Sequence, residues 1–393
     1  DQKIYEFRGA HSKYLEQFIT KYHAKKYELN VNFRSKSNLV GFTNQFVEKI
    51  SHRLKEIPIV PDQNDNGSVK IIRYSSGHLI TPAVSDVLST DLTGTTCVLT
   101  QTNDEALQVT GLLIDSGIPA KILQTNDGFS LYNLLELRYL IEQLNFSDGT
   151  YIISDSTWND AKRALWYTYK ESTKIDICIN FVKEFESCNP KRKYQSDLEV
   201  FIRESKLEDF IATNGETVHV STIHKAKGKE FDNVYIMLNG FNPGSDEKKR
   251  QLYVAMTRAK RNLSIHLNGH YLDDISTIDM KTRVDNNSYE DPSLVILHLT
   301  HKDIWLNYFM HKQNIISKLK SGDTLAVTNE GCNNSNGICV VKFSNSFKEK
   351  AAAFGNKGYR LKSATVNYIV YWKNEDSDKE IKIILPEVRL QRE

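Results

Sequence analysis

Short apolar runs recur along the chain with amphipathic stretches between them. Residues 69–72, 97–99, 121–123, 218–220, 234–237 and 263–265 are rich in Val, Ile and Leu and have the length of buried strands. Between several of them apolar positions fall at helical spacing, over 39–55 and 105–116. Gly117-Ile118-Pro119 stops the second of these helices and leads into the next strand. Such alternation predicts an α/β fold with a mostly parallel sheet and helices on both faces. Leu131, Leu134, Leu135, Leu137, Leu140 and Leu144 also repeat at helical spacing, which marks a core-facing helix rather than a functional stripe.

The pattern changes twice. From about 146 to 212 the chain is polar, aromatic and helical, with Trp158, Trp166, Tyr167 and Tyr169. After 270 the alternation ends. Residues 274–291 are polar and read as a linker, and 303–319 read as a helix. From Gly322 onward short strands return at 324–327, 338–341, 365–372 and 381–385, separated by turns rich in Gly, Asn and Asp. That region reads as a small antiparallel β-barrel of the SH3 or Tudor type, folding on its own.

Composition narrows this picture little. A chain of 393 residues, 40% hydrophobic and 25% charged, suits two or three globular domains. The net charge of +2 creates no global field that demands a polyanion. Lysine and arginine do cluster locally, at Lys225, Lys227 and Lys229, at Lys248, Lys249 and Arg250, and at Lys260 and Arg261; by themselves such runs are solvated faces. Five widely spaced cysteines predict reduced thiols and a cytoplasmic protein. Cys332 and Cys339 have no matching second pair, and His298, His301 and His311 read as residues of a helix surface or a small core, so no metal site is expected. No apolar run approaches the ~20 residues of a membrane span, so no membrane association is expected.

Two segments carry most of the chemistry. Residues 218–237 read VHVSTIHKAKGKEFDNVYIM and residues 246–266 read DEKKRQLYVAMTRAKRNLSIH. Each places polar groups at the end of an apolar run or on the first turns of a helix, where α/β sheets present groups to phosphates. Yet no G-x-x-x-x-G-K-[ST] loop occurs in the sequence. Upstream lie DQKIYEFRGA at 1–10, Asn32-Phe33-Arg34-Ser35, and TCVLTQTNDEALQVTGLL at 96–113. In this order the five resemble motif III, motif IV, a DNA-contacting strand and helix, motif V and motif VI of the UvrD/Rep/PcrA group of superfamily 1 DNA helicases. The resemblance spans residues 1 to about 268.

The departures from that group matter equally. The Q-motif, the Walker A loop and the Walker B Asp-Glu, which precede motif III in the family, are absent. Asp104-Glu105 does not replace the last, because four residues separate it from the strand at 97–99. The family often has Arg where Gln101 stands and Trp where Phe7 stands. The resemblance therefore implies the C-terminal part of a longer helicase, cut between its two motor domains. It divides the chain into a remnant of the first motor domain (1–27), a RecA-like domain 2A (28–145 and 213–270), a reduced helical 2B-like insertion (146–212), a linker and helix (271–321) and the small barrel (322–393).

It also implies roles. Arg258, which follows 252–255 on an apparent helix, and Arg34 would meet the γ-phosphate of ATP, since a planar guanidinium can pair with two phosphate oxygens at once. Gln2 would report on that phosphate. Glu230 would accept a hydrogen bond from the ribose, with Gly228 allowing close backbone approach. Tyr5, Phe7 and Arg8 would stack on and hold single-stranded DNA, and Asn103, Thr222 and His224 would face it from the second domain. ATP and Mg²⁺ would be cofactors of the full-length parent, with none held tightly by this chain, which alone would be inactive. Partners implied are single-stranded DNA, single-strand/duplex junctions, the missing N-terminal motor domain and a protein docked on the barrel. The direction implied is 3′ to 5′, and DNA repair is the setting in which such helicases work. Two alternatives remain: a helicase–nuclease subunit of the RecB or AddA type, and a non-catalytic module that binds DNA or a partner.

Overall fold

The computed structural model describes residues 12–25, 27–51, 53, 55, 57–91, 93–123, 129–146, 151–210, 217–374 and 379–392. The described chain begins with helix α1 (Ser12–Tyr22). A two-residue strand β1 (Val31–Asn32) leads into α2 (Ser37–Val47) and pairs in parallel with β2 (Val60–Pro61). Strand β3 (Ser68–Tyr74), α3 (Ile80–Leu88), β4 (Thr96–Thr100), α4 (Asn103–Asp115) and β5 (Ala120–Ile122) then alternate. An insertion follows, of α5 (Leu135–Gln143), β6 (Ile152–Ile153), α6 (Asp155–Tyr169), α7 (Ile175–Cys188), β7 (Lys193–Tyr194) and α8 (Gln195–Glu204). The alternation resumes with β8 (Val218–Thr222), β9 (Phe231–Leu238), α9 (Asp246–Met256), β10 (Ala259–Leu267) and β11 (Met280–Asp285). The chain ends with β12 (Leu294–His298), α10 (Gln313–Ile316), β13 (Thr324–Val327), β14 (Gly331–Asn333), β15 (Cys339–Lys342), α11 (Asn345–Gly355), β16 (Tyr359–Lys373) and β17 (Glu380–Arg392).

These elements form two compact units, one of residues up to 124 with 213–292, the other of 125–212 with 293–393. The first is built on a seven-stranded parallel sheet in the order β11-β3-β10-β9-β4-β8-β5. Every residue of β4 and β8 is buried, which explains their continuous apolar reading. On one face α2 packs Leu39, Phe42 and Phe46 with Leu252, Tyr253 and Met256 of α9. On the other, Ile80, Val84 and Val87 of α3 and Val109 and Leu113 of α4 cover Val98, Val220 and Tyr235. Gly67, just before β3, sits so close to β10 that a Cβ there would lie 1.9 Å from the Arg261 carbonyl oxygen. Asn38 clamps the same glycine through its amide, 2.8 Å to both N–H and C=O.

Three expectations along the chain change. Helix α2 stops at Val47 rather than near 55. The polar stretch 274–291 contains β11, an edge strand beside β3 with four consecutive exposed residues, so its side chains carry no apolar signal. The helix expected over 303–319 is broken into two 3₁₀ turns, His301–Asp303 and Leu306–His311, and the four-residue α10.

In the second unit helices α5 to α8 surround Trp158, Phe181 and Phe185. The six C-terminal strands form an antiparallel sheet in the order β12-β17-β16-β13-β14-β15, with register shifts that bend the long β16–β17 pair. The expected strands at 365–372 and 381–385 are the second half of β16 and the start of β17, and β14 and α11 were not foreseen. The curled antiparallel sheet agrees with the expected β character of the tail.

The tail and the insertion are joined. Leu134 forms a β-bridge with Val370, and the Thr173 N–H donates to the Ser321 carbonyl at 2.9 Å. Glu136, fully buried, accepts from Ser172 Oγ at 2.5 Å and from Ser321 Oγ at 2.9 Å. Tyr368 of β16 packs on the helical core. The division expected at 322, with a separable barrel beyond it, therefore differs from the division the contacts make.

Lys174 lies on that seam. Its Nζ donates to Asn367 Oδ1 at 2.8 Å and sits 4.3 Å from the centre of the Tyr368 ring. Burial of the ammonium holds its pKa down to about 8, against the pull of Glu387 and Glu136. A folded-state pKa below the unfolded value means that the charged form is disfavoured by folding, so stability from this residue rises as pH climbs from about 8 to 10.5. Lys174→Met is expected to stabilise the chain at pH 7 by roughly 1–2 kcal/mol and to lose that advantage by pH 10. Urea unfolding of both proteins at the two pH values checks this; an advantage unchanged at pH 10 contradicts it.

Candidate functional site

The residues of 32–36 are fixed onto the start of β10. Asn32 Oδ1 accepts from the N–H groups of Arg34 (2.8 Å) and Ser35 (3.0 Å), a local turn that aims the arginine. Buried Ser35 donates through Oγ to the Ala259 carbonyl at 2.7 Å, and the Lys36 N–H to the Lys260 carbonyl at 2.9 Å. Arg34 Nη1 then reaches the Thr257 carbonyl at 3.3 Å, and its Nη2 forms an ion pair with Glu230 Oε1. Both side chains are about a third exposed, at 34% and 33%. Arg34 Nε is buried without a hydrogen-bond partner.

Arg258 lies beyond the end of α9 rather than on it, in the turn that enters β10. It is 2% exposed. Nε donates to the Val254 carbonyl (3.0 Å), Nη1 to the Lys229 carbonyl (3.2 Å) and Nη2 to Thr257 Oγ1 (3.1 Å). Its own carbonyl accepts from the Phe231 N–H at 3.0 Å, beside Glu230. Burial lowers the Arg258 pKa, neighbouring Arg34 lowers it further and Glu230 opposes both; an arginine remains a cation under all these influences. The folded chain thus brings Arg34, Glu230 and Arg258 together, with Thr257 touching both guanidinium groups. The last was missed in the sequence, where the Asn two residues before Arg34 and the Thr beside Arg258 were the available signals.

This cluster stands at the amino ends of β9 and β10. The expectation that polar groups of 218–237 and 246–266 sit at the end of an apolar run or on first helical turns is corrected for Glu230, which precedes β9, and for Arg258, which precedes β10. The carboxyl edge holds the other set. Thr222 ends β8 opposite Thr100 at the end of β4, and is buried. Asn103 is the exposed first residue of α4. Thr102 caps that helix, accepting from the Glu105 N–H at 3.2 Å, while Glu105 accepts from the N–H groups of Thr102 and Gln101, both at 3.0 Å. Glu105 is therefore a capping residue, which gives a physical reason for setting aside Asp104-Glu105 as a metal-binding pair. Half-buried His224 follows two residues after β8; burial lowers its pKa and Lys248 adds to this, so its imidazole is neutral at pH 7.

Residues 223–230 run from one edge to the other, with His224 near one end and Glu230 at the other. Gly228, midway, has φ +89°, and no atom lies within 4 Å of where its Cβ would be. Glycine is needed there for its backbone conformation, not for room within the chain. Gln2, Tyr5, Phe7 and Arg8 lie outside the described residues. Among the described residues no group of three or more His, Cys, Asp or Glu is placed to hold a metal ion, and no helix is long and apolar enough to cross a membrane.

The profile of the UvrD-like helicase C-terminal domain matches residues 27–151 and 151–269. The Gabija protein GajB of Bacillus cereus (strain VD045) is 23% identical over 305 residues, 72% of this chain and 60% of GajB. The ATP-dependent DNA helicase Rep of Buchnera aphidicola subsp. Schizaphis graminum (strain Sg) is 31% identical over 140 residues, 28% of this chain and 21% of Rep. The chain thus spans at most about three-fifths of these relatives. The crystal structure of the C-terminal domain of a possible DNA helicase from Lactobacillus plantarum WCFS1 aligns over 64% of this chain and 98% of its own, at 14% identity and a TM-score of 0.33, a likeness too slight to bear on function.

Proposed function

The chain belongs to the UvrD-like helicase C-terminal domain family, and from that premise we propose that it is the second motor half of an ATP-dependent helicase that moves along single-stranded DNA. The observation that carries this reading is the meeting of Arg34, Glu230 and Arg258 at one edge of the sheet while Asn103, Thr222 and His224 occupy the other. A cationic cluster with a buried, partnerless guanidinium donor suits the phosphates of ATP. These residues would complete a nucleotide site whose phosphate loop and Mg²⁺ ligands come from a preceding motor domain.

Within that site the two arginines differ. Arg34 is the more exposed and can turn from Glu230 to a phosphate, which frees the Glu230 carboxylate for a ribose hydroxyl. Arg258 is held by the Val254 and Lys229 carbonyls, so it acts once the 229–230 backbone moves. That movement runs through 223–230 to His224, a short path by which the γ-phosphate end could shift the DNA end. Direction along the strand, 3′ to 5′, is taken from the family.

The isolated chain is expected to hydrolyse no ATP with or without single-stranded DNA. Joined to a phosphate-binding motor domain of its own family, it is expected to yield DNA-stimulated turnover. ATP turnover by the purified chain alone, rising with added single-stranded DNA, would contradict the division of labour proposed here.

A further inference from the structure

An aromatic and basic surface lies in the second unit, where the 3₁₀ turn Leu306–His311 crosses β15. Trp305 is 49% exposed and stacks on Tyr308, ring centres 6.3 Å apart at 29°. Lys342 Nζ lies 4.9 Å from the centre of the Trp305 ring and Lys312 Nζ 5.2 Å from that of Tyr308. The rings are fixed from below. The Trp305 N–H donates to the Lys342 carbonyl at 2.8 Å, Ile304 bridges Phe343, and Tyr308 OH donates to the Cys339 carbonyl at 3.0 Å. Among the described residues Lys302, Lys312 and Lys342 form no ion pair; Glu330, which feels the charge of Lys342, pairs with Lys348 at 2.6 Å. The segment 293–393 carries 15 Lys and Arg against 10 Asp and Glu.

We propose that Trp305 and Tyr308, with Lys312 and Lys342, form a second contact for single-stranded nucleic acid, in which an unpaired base stacks on the indole and the lysines turn from the rings to flanking phosphates. Three features favour this occupant. An exposed indole, anchored through its backbone and backed by half-buried Tyr308, loses little freedom when a base stacks on it. Lysines outside any ion pair on both sides match a polyanion and not an apolar protein face. The exposed indole carries a cation close to its ring, which suits a charged ligand rather than an apolar one. Bases in a duplex are already stacked, so the site selects unpaired strands. The inference goes beyond the motor reading and does not need the nucleotide site.

The test is fluorescence anisotropy of the whole chain with labelled oligo(dT), oligo(rU) and an oligoglutamate peptide, at low and moderate salt. Trp305→Ala is expected to weaken binding of an oligonucleotide about tenfold. Trp305→Phe, which keeps a stacking face on the same backbone bond, should recover part of the loss and guards against a folding defect. Lys312→Glu with Lys342→Glu should flatten the dependence of log affinity on log salt by about 2. Trp166→Ala, removing an equally exposed indole from α6, should change nothing. Binding of either strand through Trp305 supports the proposal, and the ratio of the two affinities tells DNA from RNA. It is overturned if the Trp305 and lysine variants bind within twofold of the parent, if Trp166→Ala costs as much, if only the glutamate peptide binds, or if no oligonucleotide binds at low salt. Asn103→Ala with His224→Ala separates the two readings. Loss only in that variant removes the platform and leaves the motor track; loss only in the Trp305 and lysine variants keeps the platform and removes the carboxyl-edge assignment.

Discussion

Arg258→Ala, made in a protein that joins this chain to a phosphate-binding motor domain, is expected to lower DNA-stimulated ATP turnover by about 10³. DNA affinity should change little, because the residue lies at the opposite sheet edge from Asn103 and Thr222. The side chain also holds the Val254 and Lys229 carbonyls, so alanine removes structure as well as charge. Arg258→Lys separates the two. It keeps a buried cation near the same carbonyls but lacks the fork that meets two phosphate oxygens, and turnover should remain at least a hundredfold low in a stably folded protein. A fall of less than tenfold in kcat for alanine would mean that Arg258 only braces the turn between α9 and β10. Arg34→Ala should lower turnover similarly, since it is the guanidinium nearer to solvent.

Deleting residues 293–393 is expected to unfold the insertion as well. The helical core loses Tyr368, Glu136 loses the Ser321 hydroxyl, and Thr173 and Leu134 lose their backbone partners. Buried Glu136 is then left with its carboxylate short of a donor, a cost of about 1–3 kcal/mol before any apolar exposure is counted. Hydrogen exchange should show α6 and α7 unprotected in the truncated chain while β4 and β9 stay protected. Retained protection of Trp158 and Phe181 would restore the separable barrel that the strand pattern suggested.

Much of the first unit could be read in advance because its strands are buried on both faces. The apolar runs at 97–99, 218–220 and 234–237 fall inside β4, β8 and β9, and the helix at 105–116 carries its own capping signal at Thr102 and Glu105. An edge strand such as β11 has one neighbour and exposed side chains, and so reads as linker. The helical spacing over 303–319 was overridden by contacts distant in sequence, the Trp305 N–H with Lys342 and Gln313 with Lys382, which break the segment into short turns. The joining of insertion and tail depends on single buried contacts such as Glu136 with Ser321, which no periodicity announces. For the candidate site, residue identities were legible but their edges were not. Arg258 follows a helical pattern closely enough to be taken as part of it, and only the register of Ala259 with Phe231 places it at the amino end of the sheet.

Hydrogen exchange on the two-domain protein, with and without a non-hydrolysable ATP analogue, tests the central claim most directly. Nucleotide is expected to protect the amides of 34–36, 229–231 and 257–259 and to leave 101–105 unchanged until single-stranded DNA is added. Protection at 101–105 on nucleotide binding, with none at the three amino-edge segments, would contradict it.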